Sequence, residues 1–240
     1  PQSMMAALQR FGLTDHVLGV IAAIYSNRAF QVRDCGHESI PRVQHSGISQ
    51  GCPLSPFLFV MLMTVLMEDA ARKLPPEDRD RLYEGSLAEL LYADDTLLLS
   101  VSAKSLERFL SAVSSAGSAY GLQLHWGKLQ LIKVRCVDHV HRPDGTRIEP
   151  QTDLLYLGSL VSDDGRVQRE LSRRLGIAGA VFGLLSRLWR HSRLGRARKI
   201  EVFNAVIIHK MMYGLAAAWL NTAEQRKING FQNRCLHTIW

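Results

Sequence analysis

The sequence predicts an α+β protein that passes into an all-helical, basic segment, and three observations lead there. Short apolar runs punctuated by Gly, Pro and Asp-Asp recur between residues 29 and 165, as expected of antiparallel strands joined by turns. At least two stretches in the same region keep i, i+3, i+4 apolar spacing, so helices are expected to pack behind the strands. From Arg166 onward the strand signals cease and the charge changes sign: residues 1–165 carry 15 basic and 19 acidic side chains, residues 166–240 carry 14 and 3. The division is therefore drawn at 165/166. A basic third favours a polyanionic partner, with a merely solvated basic helix face as the bland alternative.

Taken in order, residues 3–11 and 15–26 read as two short helices, the first ended by Gly12 and the second capped by Thr14 or Asp15. Phe30–Val32 and Ser39–Val43 read as a hairpin around Asp34-Cys35-Gly36-His37. A loop with two glycines and two prolines follows, ending where Ser55 suits an N-cap and Pro56 a first helical position. The helix from Pro56 to about Lys73 is apolar nearly all round through Met67, which predicts a central, buried helix. Pro75-Pro76 and the charged run to Arg81 read as a loop. Glu89–Ser100 then reads as buried strand, tight turn, buried strand, with Asp94-Asp95 at the tip.

Beyond the hairpin, Leu106, Phe109, Leu110, Val113 and Tyr120 mark an amphipathic helix over 104–120, closed by Gly121. Leu129–Val137 and Arg147–Ile148 read as strands around Pro143-Asp144-Gly145, and Leu154–Ser162 as a further strand ending at Ser162-Asp163-Asp164-Gly165. Past Arg166, Leu171, Leu175, Ala178, Phe182, Leu185 and Trp189 trace one helical stripe, and Ile200, Phe203, Ile207, Met211 and Leu215 a second. Ile228, Phe231 and Ile239 begin a third.

Composition narrows the function. At 240 residues the chain can bury a substantial core, and its longest apolar run, Phe57–Met67, is broken by Thr64 and falls short of the ~18 residues of a membrane span. Cys35, Cys52, Cys136 and Cys235 are scattered with no secretory signal before them, which favours free thiols in an intracellular, reducing compartment. The chain opens at Pro1 and closes at Trp240 inside a helical pattern, and is read as a segment of something longer.

Two adjacent carboxylates between apolar strands are unfavourable unless a cation or donors compensate them, so Asp94-Asp95 is either a divalent-metal site or a solvated hairpin tip. Asp163-Asp164 is the control: beside Gly165 at a helix start, it is explained by capping. Cys136, His139 and His141 lack a fourth zinc ligand at a usual spacing and are read as structural.

Tyr92-Ala93-Asp94-Asp95, preceded by Ser46-Gly47-Ile48-Ser49-Gln50-Gly51-Cys52-Pro53-Leu54-Ser55-Pro56-Phe57-Leu58-Phe59, resembles the reverse transcriptases of non-LTR (LINE-type) retrotransposons. Tyr120-Gly121-Leu122-Gln123-Leu124-His125-Trp126-Gly127-Lys128 is similar to the next motif of that family, although Leu129 stands where a Thr is usual. Tyr156-Leu157-Gly158-Ser159 is similar to the turn that grips the primer, and the basic helices after Arg166 to the start of a thumb.

The resemblance implies a partial polymerase palm, an antiparallel sheet backed by helices, followed by a thumb-like segment. It implies an RNA template, a DNA primer and deoxynucleoside triphosphates as partners, and two Mg²⁺ ions about 4 Å apart, part of whose ligands lie outside this chain. Asp94 would bind metal directly and Asp95 less directly, while Lys128 would help pyrophosphate leave. Gln50, Gly51, Pro53 and Tyr92 would lie at the nucleotide and template, with Gly51 letting backbone approach closely. Leu157 and Gly158 would hold the primer, and Tyr156 either touches it or packs. Arg173, Arg174, Arg190, Arg193, Arg196, Arg198 and Lys199 would contact the duplex backbone.

The family's third carboxylate lies on an earlier strand, and neither Asp15 nor Asp69, both on helices, replaces it. The isolated chain is therefore expected not to polymerise, and its parent to do so. A non-catalytic RNA-binding remnant and a maturase-like intron protein are the alternatives, and a nuclear location is implied only by family behaviour.

Overall fold

The computed structural model describes residues 2–44, 47–49 and 51–240, and Gln50, expected at the nucleotide, lies outside them. The chain forms two compact units, residues 1–129 with 138–148, and residues 130–137 with 149–240.

In the first unit, α1 (Gln2–Phe11) and α2 (Asp15–Tyr25) pack Leu8, Leu18, Ile21 and Tyr25 around Leu58 of α3 (Ser55–Arg72). Thr14 stands at the α2 N-cap without a side-chain hydrogen bond. The expected hairpin is present as two nested pairs, β1 (Ala29–Phe30) with β4 (Arg42–Val43) and β2 (Arg33–Asp34) with β3 (His37–Glu38). Cys35 and Gly36 both take positive φ in its turn.

Helix α3 begins one residue earlier than predicted, so Ser55 is helical and Leu54 caps. Ser55 instead donates to the Ser49 carbonyl at 2.7 Å and lies 3.3 Å from the Tyr25 hydroxyl, tying the preceding loop to α2. Its apolar circumference is not wholly buried: Phe57 and Val60 are 64% and 57% exposed, while Leu58, Leu62, Leu66 and Ala70 face the core.

Residues 76–84 form a helix rather than a loop: α4 (Pro76–Glu84), with Pro75 at the N-cap, Glu77 and Asp78 in the first turn and left-handed Gly85 after it. Its Asp78 is fully buried, held by Arg108 and Ser105 of α5 (Ala103–Ala119) and by Arg81. Helix α5 starts at a Ser102 cap.

Between α4 and α5 run β5 (Leu87–Tyr92) and β6 (Asp95–Ser100), an antiparallel pair in register from Leu87↔Ser100 to Tyr92↔Asp95. Leu87 and Leu98, on one face, join Met63, Leu66, Met67, Phe109 and Val113 in the core. The opposite face carries Leu90, Leu99 and Tyr92, which are 50%, 45% and 63% exposed, so the strands are half-buried rather than buried.

The stretch 129–137 is strand only at β7 (Leu131–Ile132), paired in parallel with β8 (Pro150–Gln151) in the second unit. Ile132, Val134 and Cys136 alternate with Lys133 and Arg135 as a strand would, but Arg135 takes positive φ, which extended strand backbone does not accommodate. The Pro143-Asp144-Gly145 turn does close a hairpin, reduced to one bridge between His141 and Arg147.

The predicted strand 154–162 folds back on itself. β9 (Asp153–Tyr156) and β10 (Ser159–Ser162) form a hairpin whose two-residue turn is Leu157-Gly158. Helix α6 (Gln168–Arg190) begins after Gly165 with no side-chain cap; Asp164 accepts from the Arg166 amide, and Asp163 pairs with Arg169. The expected stripes then build one core: Leu171, Ala178 and Trp189 of α6, Phe203, Ile207 and Met211 of the next helical run, and Ile228 and Phe231 of α9 (Thr222–Ile239). That middle run is α7 (Arg196–Val202), a π-helical stretch Phe203–Ile208, and α8 (His209–Met212). A full capping box, Asn221 with Glu224, starts α9.

Candidate catalytic hairpin and primer-side turn

Strand register fixes the acidic pair. Tyr92 and Asp95 are the last cross-strand partners of β5 and β6, so Ala93-Asp94 forms the two-residue turn. Ala93 takes φ 52°, a left-handed conformation that costs a non-glycine residue on the order of 1 kcal/mol. The three polar residues of the motif, Tyr92, Asp94 and Asp95, are exposed at the free end, while Leu87 anchors the other end in the core. Exposed carboxylate oxygens are donors of the kind a hard divalent cation takes, and Mg²⁺ is commonly held by one or two of them plus substrate phosphates. Among the described residues, no group of three or more His, Cys, Asp or Glu is arranged to hold a metal ion.

The face of the hairpin bearing Glu89 and Leu91 borders a cavity of about 560 Å³ lined also by Arg10, Thr64, Glu68 and Arg72. Burial pushes the Glu89 carboxyl pKa up. Beneath it, Arg10 of α1 donates to Asp69 of α3, and Tyr120 donates to the same carboxylate at 2.7 Å. The Arg10 guanidinium, ahead of the Tyr120 hydroxyl, lowers the Asp69 pKa to about 2. Asp69 is therefore a brace between helices.

In the loop before α3, Gly51 takes φ 82°, with nothing within 4 Å of where a Cβ would stand. Its glycine serves backbone conformation rather than a close approach within the protein. The backbone N–H of Leu54 lowers the pKa of the neighbouring Cys52 thiol. Pro53 is exposed. Lys128 ends a 3-10 turn, Trp126–Lys128, and is exposed; Arg142 backs that turn, its guanidinium 5.8 Å from the Trp126 ring and donating to the Trp126 carbonyl. His141 is engaged with Glu107.

In the second unit, the Leu157-Gly158 turn is bound from behind. Tyr213 donates to the Leu157 carbonyl at 2.9 Å, and Arg173 and Arg174 both donate to the Gly158 carbonyl, Arg173 at 2.7 Å. Buried Glu170 accepts from both arginines and from the Leu160 amide. Burial pushes the Glu170 carboxyl up, but the hydrogen bonds from Arg173 and then Arg174 outweigh it and leave its pKa below the ordinary value. Thus Arg173 and Arg174, expected on a duplex backbone, spend their guanidiniums inside the protein, and Arg174 is only 8% exposed.

Arg190, Arg193, Arg196 and Arg198 are exposed and Lys199 is half-buried; Arg198 pairs with Glu201 and Arg196 lies over the Trp240 ring. Tyr156 is half-buried. Sequence reading missed Asp69, Asp78, Glu170 and Tyr213, whose partners lie on other elements or, for Glu170, look like surface arginines. Among the described residues no helix is long and apolar enough to cross a membrane.

Comparison with known proteins gives the family. Residues 2–161 match the family described as reverse transcriptase (RNA-dependent DNA polymerase). The chain is 26% identical to the retrovirus-related Pol polyprotein from the type-1 retrotransposable element R2 of Popillia japonica, over 98% of this chain and 34% of that protein. It is 22% identical to a transposon-derived protein of Caenorhabditis elegans, over 60% of this chain and 53% of that one. The chain thus spans about a third and about half of the lengths of these relatives. With its matched segment running from α1 into β10, the chain belongs to the reverse transcriptase family.

Proposed function

We propose that the chain is the palm and first thumb helices of an RNA-directed DNA polymerase of the non-LTR retrotransposon type, residues 1–165 and 166–240 respectively. The observation that carries this reading is the placement of Asp94 in an exposed two-residue turn with Asp95 beside it, on a hairpin rooted in the core by Leu87.

Asp94 and Asp95 would hold Mg²⁺, which when bound supplies Lewis-acid stabilisation of the transferring phosphoryl group and acidifies the primer hydroxyl. The chain's own residues do the rest. Tyr92 flanks the nucleotide, and the Gln50, Gly51 and Pro53 loop supports the templating pair. The exposed ammonium of Lys128 neutralises the departing pyrophosphate. The Tyr156, Leu157 and Gly158 turn holds the primer strand. Arg190, Arg193, Arg196, Arg198 and Lys199 follow the RNA–DNA backbone without reading sequence.

Primer extension tests this reading. A longer protein containing this chain, given RNA template, DNA primer, deoxynucleoside triphosphates and Mg²⁺, extends the primer, and Asp94→Ala lowers extension at least about a thousandfold. The 240-residue chain alone gives no extension above its own Asp94→Ala control. Hybrid binding that persists in a longer protein incapable of extension would favour the non-catalytic remnant instead.

A further inference from the structure

The primer-side turn has a second layer of residues that no motif marks. Leu157 takes φ 48° and Gly158 φ 78°, so both turn residues are left-handed and both carbonyls are fixed in direction by the turn. Each carbonyl meets a donor from another element: Tyr213, beyond the end of α8, for Leu157, and Arg173 and Arg174 of α6 for Gly158. The Arg174 guanidinium lies 4.6 Å from the Tyr213 ring, and a Cβ on Gly158 would stand 3.3 Å from that ring. Glu170 neutralises one of the two guanidiniums, so the turn is backed by a net positive charge.

We infer that Tyr213, together with Arg173 and Arg174, is a positioning residue for the primer end: it locks the Leu157-Gly158 turn so that its exposed edge meets the primer backbone. Two consequences follow from the chemistry. A carbonyl oxygen carries partial negative charge, and engaging both with donors removes them from the surface that a phosphate would approach. The unneutralised guanidinium behind the turn then makes that surface favourable to a phosphate. This rests on the reading of residues 156–158 as the primer contact.

The test uses the 240-residue chain and an RNA–DNA hybrid carrying 4-thiothymidine at the recessed primer 3′ end. Total binding is followed by fluorescence anisotropy and fold by thermal melting. Irradiation at saturating protein, with peptide mapping, gives the yield of crosslinks to residues 153–162. In the unsubstituted chain these residues crosslink. Tyr213→Phe, which keeps the ring and removes only the hydroxyl, lowers their yield per bound hybrid about three- to tenfold, the weight of one hydrogen bond. Its total binding stays within about twofold and its melting midpoint does not move. Arg174→Lys, which keeps the charge but loses the forked geometry, lowers the yield similarly.

An unchanged yield in both variants overturns the positioning role while leaving the primer contact standing. A yield that falls only in proportion to lost binding or lost fold also overturns it, as a structural role alone. Absence of crosslinks at 153–162 in the unsubstituted chain overturns the primer contact and, with it, the positioning role.

Discussion

Among the described residues three hairpins close on two-residue turns opened by a non-glycine residue at positive φ, Cys35 at 46°, Ala93 at 52° and Leu157 at 48°, and the last two carry the candidate motifs. They differ in support. Among the described residues no side chain hydrogen-bonds to Ala93 or Asp94, whereas three side chains donate to the carbonyls of Leu157 and Gly158. The acidic hairpin is rooted at its far end and free at its tip; the other is clamped at its tip. A ligand site that must exchange metal-bound product benefits from open carboxylates, while a surface that must hold a strand in register benefits from fixed backbone. The same local geometry thus has opposite mechanical support in the two hairpins, as the proposed roles would require.

Substitutions sharpen this contrast, the largest expected effect being the loss of extension on Asp94→Ala with fold intact. Next comes Glu170→Ala. It leaves Arg174, 8% exposed, without its buried partner and should cost about 3 kcal/mol, seen as a lowered denaturation midpoint. Gly158→Ala places a Cβ 3.3 Å from the Tyr213 ring at φ 78° and should cost about 1–2 kcal/mol. Ala93→Gly is its counterpart: relief of the positive φ offsets the added chain entropy, and stability should change by less than about 1 kcal/mol. Equal penalties at Gly158 and Ala93 would break the comparison.

A separate expectation concerns pH. Asp69 has its pKa lowered from 3.8 to about 2, so its carboxylate is ionised in the folded state at pH values where the unfolded chain binds a proton. Its contribution is fully present above about pH 4 and is lost as pH falls toward about 2. Acid titration of the chain against Asp69→Asn checks this: the difference between them should shrink across that window. A difference that grows there would reverse the assigned sign.

Where periodicity and caps agreed, the fold was legible: α3, the β5–β6 hairpin, α5 and the α6 stripe lie within a residue or two of expectation, except that α6 runs from Gln168. Helix α4 was hidden because its one buried side chain within 76–84 is a charged one, Asp78, paired with Arg108 on a helix about 30 residues away. The β9–β10 turn was hidden because Leu157, an apolar residue, occupies a left-handed position that sequence reading assigns to Gly or Asn; only motif resemblance pointed to a turn. At the candidate site, the acids and Lys128 could be picked from motifs. The burial of Arg174 could not, since an Arg in a basic run looks solvated until its carboxylate, one helical turn earlier, proves buried. Inter-helix partners such as Asp69 with Arg10 are likewise invisible to a reading along the chain.

The most direct test of the acidic tip as a metal seat is a Mn²⁺ titration of the isotope-labelled chain followed by nuclear magnetic resonance. Paramagnetic broadening should begin at Tyr92, Ala93, Asp94, Asp95 and Thr96 and should be abolished by Asp94→Asn with Asp95→Asn. Broadening that starts elsewhere, or that persists at this turn in the doubly substituted chain, would contradict the assignment.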